Sequence, residues 1–208
     1  MTSSAMRGLA LLKTLLALLA CAAVLAARAD EIEVLDARLG ATEEGLALEA
    51  DFAFDLKPRL GEAVANGVPL YFVVEFELTR LRWWWFDEKA VAKRMQLRLS
   101  YHPLLRQYRL STGMLQQQFQ SLDEALHVLK RVRNWVVVER GAALADANHE
   151  AAVRMRLDIG LLPKPFQVSA IMSRDLHLES AWRRFPFRAP PAPPAPVETR
   201  EPREAGGR

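Results

Sequence analysis

The chain has 208 residues, half of them hydrophobic, which is enough for one domain with a sizeable core. Its single cysteine, Cys21, excludes an internal disulfide. The formal net charge of +3 falls to about zero without the N-terminal leader, because Arg7, Lys13 and Arg28 are lost with it. Bulk charge therefore gives no basis for nucleic-acid binding.

The N-terminus has the three parts of a secretory signal peptide. Arg7 and Lys13 form a positive start, residues 14–26 form an apolar run, and residues 27–29 (Ala-Arg-Ala) supply small side chains for cleavage. The apolar run, about 13 residues, is shorter than the roughly 20 that a bilayer-spanning helix needs. We predict cleavage after Ala29 and an exported, periplasmic protein whose mature chain has no transmembrane helix.

A second interpretation of the leader is a lipoprotein signal. Residues 18–21 (Leu-Leu-Ala-Cys) resemble a lipobox, in which Cys21 would carry a lipid and become the new N-terminus. Leu19 is unusual at its position, and residues 22–27 stay apolar where a lipoprotein turns polar, so lipid anchoring is the less favoured alternative. Cleavage after Ala29 leaves no cysteine, which excludes a thiolate nucleophile and a Cys-ligated zinc site.

The first elements after the leader show the two-residue alternation of half-buried antiparallel strands. Residues 32–39 form a predicted first strand, and residues 46–56 a second with apolar side chains at its even positions. Pro58 opens a short helical stretch that ends at Asn66-Gly67. Residues 70–83 form a long predicted strand, again with apolar even positions over most of its length.

A meander and one helix follow. Residues 91–112 predict a hairpin. In its first strand the odd positions point inward and the even positions outward, the reverse of the preceding strand. Residues 115–119 extend this meander. Ser121 and Glu124 have the spacing of a capping box at the start of an amphipathic helix over residues 121–133.

The rest of the domain is predicted to return to strands, over residues 135–138, 149–159, 166–171 and 176–182, with a rigid Leu-Pro-Lys-Pro connector at 162–165. Many strands against one good helix predict a mainly β fold, namely an antiparallel β-sandwich-like domain with one amphipathic helix. The alternative is an α+β fold, in which that helix packs on one face of an antiparallel sheet.

The chain is therefore predicted to have three segments. Residues 1–29 form the signal peptide, residues 30–187 a single β-rich domain, and residues 188–208 a Pro-rich tail that we predict to be disordered. Alternating Ala and Pro over residues 189–196 favour an extended polyproline helix and give no donors for a sheet.

Several short motifs, in order along the chain, resemble the DUF4390 family of exported proteobacterial proteins of unknown function. The matching motifs are Asn66–Leu70, Arg82–Glu88, Tyr101–Leu104, Gln107–Ser111, Val132–Trp135 and Leu162–Gln167. The resemblance covers residues 31–187 approximately and implies no activity, cofactor or catalytic residue. It implies an accessory role in the cell envelope, because genes of this type are associated with those of nitrogen-type two-component sensors.

Two groups of residues form the candidate interaction surface. Trp83, Trp84, Trp85 and Phe86 are four consecutive aromatic residues, and at least one Trp must leave the core face of a strand. Such an exposed ledge would stack on glycan rings, sit at a membrane interface or anchor a partner protein. The alternative is that these rings fill the end of the sandwich or lie under a loop.

The second group is a cationic strip of Arg94, Arg98 and Arg109 on the outward positions of the predicted hairpin. The strip would meet acidic lipid headgroups, phosphates or an acidic protein partner. The alternative is that these arginines protect a sheet edge and form cross-strand salt bridges with residues such as Glu75 and Glu77.

The sequence contains no catalytic motif, no dinucleotide or phosphate loop, and no metal-ligand spacing among its four histidines, so we predict no catalytic, cofactor or metal residues. We predict a non-enzymatic periplasmic module that binds an envelope protein, a sensor-kinase ectodomain being one candidate. The alternative is a protein that binds glycan or lipid headgroups on the same surface. An envelope hydrolase that uses the Glu75 and Glu77 carboxylates is a third, weaker hypothesis.

Overall fold

The structure, a computed structural model, describes residues 32–80, 88–140, 142, 144, 148–172 and 176–188. The predicted signal peptide, the four-aromatic run and residues 189–208 of the predicted tail lie outside these residues. The described chain contains nine β-strands in two antiparallel sheets, three α-helices and one 3-10 helix at Ile159–Leu161. A mainly β fold is therefore confirmed, with three helices where the sequence predicted one strong helix and a short helical stretch.

The bounds of the strands and helices define the labels used below. The strands are β1 (Glu33–Thr42), β2 (Gly45–Ala53), β3 (Leu70–Arg80), β4 (Glu88–His102), β5 (Gln107–Thr112), β6 (Leu115–Phe119), β7 (Arg131–Glu139), β8 (Asn148–Leu157) and β9 (Arg183–Arg188). The helices are α1 (Pro58–Ala65), α2 (Leu122–Leu129) and α3 (Lys164–Met172).

The two sheets differ in size and share one core. The large sheet has the strand order β6-β5-β4-β3-β8-β9, and the small sheet the order β1-β2-β7. The small sheet contacts the large one through β1 with β8 and β9, and through β7 with β4, while α2 contacts β5, β6 and β7. The large sheet therefore has an inner face, covered by the small sheet and α2, and an outer face.

Strand alternation accounts for the core. The even-numbered positions of β3 from Leu70 to Leu78 are fully buried, as predicted, and each such side chain contributes about 1.5–3 kcal/mol. The Phe54 ring, just after β2, stacks on that of Phe72 with centroids 5.5 Å apart. Leu97 and Leu99 of β4 point to the same side. The predicted inward and outward positions of these three strands are confirmed.

The capping box at the start of α2 is also confirmed. The Ser121 hydroxyl accepts a hydrogen bond from the Glu124 N–H at 3.2 Å, and the Glu124 carboxylate accepts one from the Gln120 N–H at 3.1 Å. The helix ends at Leu129, however, and not at residue 133 as predicted. Val132 instead belongs to β7, where it is buried opposite Ala50 of β2, because strand pairing in the small sheet outweighs continued helical periodicity.

Two of the predicted strands are wrong. Residues 166–171 lie in α3, which begins directly after Pro163 and holds Pro165 in its first turn, where a missing N–H costs no helical hydrogen bond. The Gln167 amide stabilises this start by donating to the Gly160 and Leu162 carbonyls at 2.8 and 2.7 Å. The second wrong strand is that at residues 176–182, where Glu179 forms only an isolated bridge. The observed strand, β9, begins at Arg183 and includes Arg188, which was predicted to start the tail.

Candidate interaction surface

The structure brings the three arginines of the cationic strip together on the outer face of the large sheet. Arg94 and Arg98 lie on β4, about 13 Å apart by strand rise. Arg109 lies on β5 opposite Ser100, so Arg109 is a diagonal neighbour of Arg98. Trp83–Phe86, the other part of the predicted surface, is outside the described residues, and its role remains a prediction.

Arg94 is held by a buried carboxylate and is not free. Glu75 of β3 is 4 % exposed, and its Oε1 lies 3.1 Å from Arg94 Nε. Arg154 Nε donates to Glu75 Oε2 at 2.6 Å, and Arg156 approaches Oε1 at 3.6 Å. Arg94 therefore forms the cross-strand salt bridge of the alternative interpretation, and side chains from both neighbouring strands close over Glu75.

A small pocket of about 250 Å³ adjoins this ion cluster. Arg154, which lines it, also donates to Glu179 at 2.8 Å and lies 4.7 Å from the centre of the Trp182 ring. Both oxygens of Glu75 face guanidinium groups. The geometry suits a role in holding β3, β4 and β8 together better than general acid–base chemistry with Glu77.

Arg98 and Arg109 differ from Arg94 in their surroundings. The exposed Arg98 guanidinium lies 5.9 Å from the centre of the Tyr71 ring. Arg109 is half-buried, and its Nε has no hydrogen-bond partner in the described part of the chain; the same holds for Nδ1 of His102 on the same face. Across the described residues, neither arginine has a carboxylate within salt-bridge distance. Arg98 is therefore available to a ligand, whereas the unpaired Nε of Arg109 is buried.

Two arginines on the small sheet, in contrast, are paired. Arg133 meets Asp51 at 2.5 Å, and Arg38 donates through Nε to Glu49 at 3.0 Å. The hydrogen bond to Glu49, and then its charge, raise the pKa of the Arg38 guanidinium above its ordinary value. Arg98 differs from these two arginines in having no carboxylate partner among the described residues.

The order of charged residues along the chain explains why Arg98 and Arg109 have no carboxylate partner, and the sequence predictions did not use this signal. Between Glu88 and Asp123 there is no acidic residue, while six basic residues occur. These are Lys89, Lys93, Arg94, Arg98, Arg106 and Arg109. β5, β6 and all of β4 after Glu88, its first residue, lie in this interval, so their outer face carries no carboxylate of its own. From Lys89 onwards, the faces of the three strands thus form one acid-free surface.

A groove lies on the inner side of the same strands, at the boundary between the part that packs against β7 and the part that packs against α2. Its volume is about 410 Å³, and its apolar lining includes Met95, Leu97, Leu110 and Leu115. Arg131 is among the charged residues at this groove. No sequence pattern indicated it, because the groove arises from the seam between elements distant in the chain. Leu115 is 75 % exposed there, which is unusual for a leucine beside a core.

Two other kinds of feature are absent from the described residues. The side chains there form no group of three or more His, Cys, Asp or Glu with the geometry for a metal ion. None of the helices in the same ranges combines the length and apolar character required to cross a bilayer.

Similarity to known proteins extends to one family. No curated protein and no solved structure matches the chain. The model of a domain of unknown function, DUF4390, matches residues 29–186, most of the chain. The ordered motifs and this match agree, and the protein belongs to the DUF4390 family.

Proposed function

We propose that the protein is a non-enzymatic module of the cell envelope that binds an acidic segment of an envelope protein. The contact surface is the outer face of β4, β5 and β6. The observation that carries the proposal is that Arg98 and Arg109 are diagonal neighbours there, without carboxylate partners among the described residues. The predicted leader supports a periplasmic location for this module.

The shape of the surface supports a protein partner. Around the two arginines, the outer face carries short polar side chains at regular strand spacing, which give a flat surface rather than a deep pocket. These side chains are Gln96, Ser100, Ser111, Gln116 and Gln118. Small ligands are usually enclosed in concave pockets, whereas protein interfaces are broad and flat and use arginine as a frequent contact. A sensor-kinase ectodomain is the first candidate partner, because the family resemblance points to it.

Photocrosslinking in cells tests the proposal. A photoreactive residue in place of Ser111, directly opposite Arg98, is expected to yield a discrete protein adduct, and one in place of exposed Leu35 on β1 is not. Arg98→Glu should reduce the adduct about tenfold or more, because charge reversal places like charges together. Arg188→Glu, the same charge change at an exposed position of β9, should leave it unchanged.

Several results would contradict this function. An adduct whose yield does not fall with ionic strength would argue against charge as the basis of recognition. Equal adducts from both crosslinking positions would indicate non-specific capture. Cosedimentation with purified envelope glycan or lipid, without a discrete adduct, would favour the alternative of a glycan or headgroup binder.

A further inference from the structure

We propose that the acidic partner segment binds as an added β-strand on the open edge of β4; this inference rests on the proposed function. β4 pairs with β3 from Glu88 to Leu99, but with β5 from Leu97 to His102 alone. The stretch from Val91 to Gln96 has no second strand beside it in the described structure. An open edge of this kind is the surface used in recognition by strand addition.

The hydrogen bonds of the neighbouring strands determine which backbone groups face this edge. Met155 of β8 exchanges bonds with Ser180, donating to its hydroxyl at 3.0 Å and accepting from its N–H at 2.9 Å. The backbone N–H and C=O of Met155 therefore point away from β3. Those of Val74, the residue opposite Met155 on β3, point towards β4, where Val74 pairs with Met95. Antiparallel pairs alternate between bonded and non-bonded, so Met95 bonds to β3 while Arg94 points its N–H and C=O to the open edge.

A second observation agrees with this assignment. The Asp158 N–H donates to the Tyr71 carbonyl at 2.7 Å. The backbone groups of Tyr71 therefore point towards β8 and away from Arg98, its partner on β4. By the same alternation, Ala92, Arg94 and Gln96 all present their N–H and C=O groups to the open edge. Three donors and three acceptors are thus aligned along about 13 Å of strand.

The two flanks of this edge specify the side chains of the added strand. On the outer side, the unpaired Arg98 favours carboxylates, and so does Arg94, whose side chain stays 75 % exposed although it is paired with Glu75. On the inner side, Met95, Leu97 and Leu115 of the groove favour apolar side chains. Because successive residues of a strand point to opposite faces, the matching segment alternates acidic and apolar residues.

Charge also opposes a second copy of the chain as the occupant. A copy that paired the same stretch of β4 would bring two sets of basic side chains together, which is unfavourable. Two of the other free edges, those of β9 and β1, are protected. β9 carries Pro186, and β1 has an irregular register between Val34 and Asp36, both of which are features that discourage strand addition.

The probe for the test is a synthetic ten-residue peptide of alternating Val and Glu, titrated into the purified mature chain. On binding, hydrogen exchange should slow at the amides of Ala92, Arg94 and Gln96. Ala92→Pro removes one edge N–H and should weaken binding at least tenfold. Ala41→Pro is the same substitution at an exposed position of the edge strand β1, in the other sheet, and should alter binding less than twofold.

A peptide N-methylated at alternate residues tests the same bonds without changing the protein, and it too should bind at least tenfold more weakly. Failure of the unmethylated peptide to bind, equal binding of the methylated one, or protection of other amides would overturn the inference. If these tests fail while the Ser111 adduct persists and still depends on Arg98, the proposed function stands and strand addition is wrong.

Discussion

The Glu75 cluster leads to a quantitative prediction. Glu75→Gln keeps the size of the side chain but removes the charge that holds Arg94, Arg154 and Arg156 together. Breaking a buried ion pair by removing one partner costs about 3–5 kcal/mol when the remaining charge stays buried. Here the carboxylate is 5 % exposed, whereas Arg154 is 25 % and Arg94 75 % exposed, so water can solvate part of the remaining charge. We therefore expect a loss of about 2–4 kcal/mol in the free energy of unfolding.

Urea unfolding measures this loss. With a slope of roughly 2 kcal/mol per molar urea, the unfolding midpoint should fall by about 1–2 M. The control is Glu150→Gln, which breaks an exposed pair with Arg184 at 3.2 Å and should cost no more than about 1 kcal/mol. Equal midpoints for the two variants would refute the view that Glu75 holds three strands together.

Three further changes test the fold by the same unfolding measurement. Gly45→Ala should lower the free energy of unfolding by about 3 kcal/mol or more, because φ is +142° and the added Cβ would lie 2.0 Å from the Val138 carbonyl oxygen. Gly40→Ala, in open space, should be nearly neutral, and similar losses for the two variants would contradict this reasoning. Ser121→Ala should cost about 1 kcal/mol through loss of the helix cap, and no loss would show that the cap is dispensable. Phe72→Ala should cost about 3–5 kcal/mol, and a cost under about 1 kcal/mol would refute its place at the centre of the core.

Local patterns predicted the parts of the fold that local rules control. Two-residue alternation identified the buried faces of β2, β3 and β4, and the capping box identified the start of α2. The end of α2 was missed, because Val132 fits a helical face as well as a strand. Residues 166–171 were also misassigned, because a short apolar run is compatible with either structure until its neighbours are known.

The candidate surface shows the same division. Arg98 and Arg109 could be placed on one face from the hairpin pattern alone, since register in a hairpin follows from its turn. The burial of Glu75 could not be predicted, because Arg154 comes from β8, 79 residues further along the chain. Its partners converge on it through the order of strands in the sheet, which no local pattern contains.

The small sheet has a consequence for the order of folding. β3 to β6 form successive hairpins, whereas β2 pairs with β7 across 80 to 94 residues of intervening chain. Closing so long a loop has a large entropic cost, and non-local pairing of this kind slows folding. We expect the meander to form early and the union of β2 with β7 to come last, leaving the apolar side of β2 exposed to misassociation until β7 reaches it.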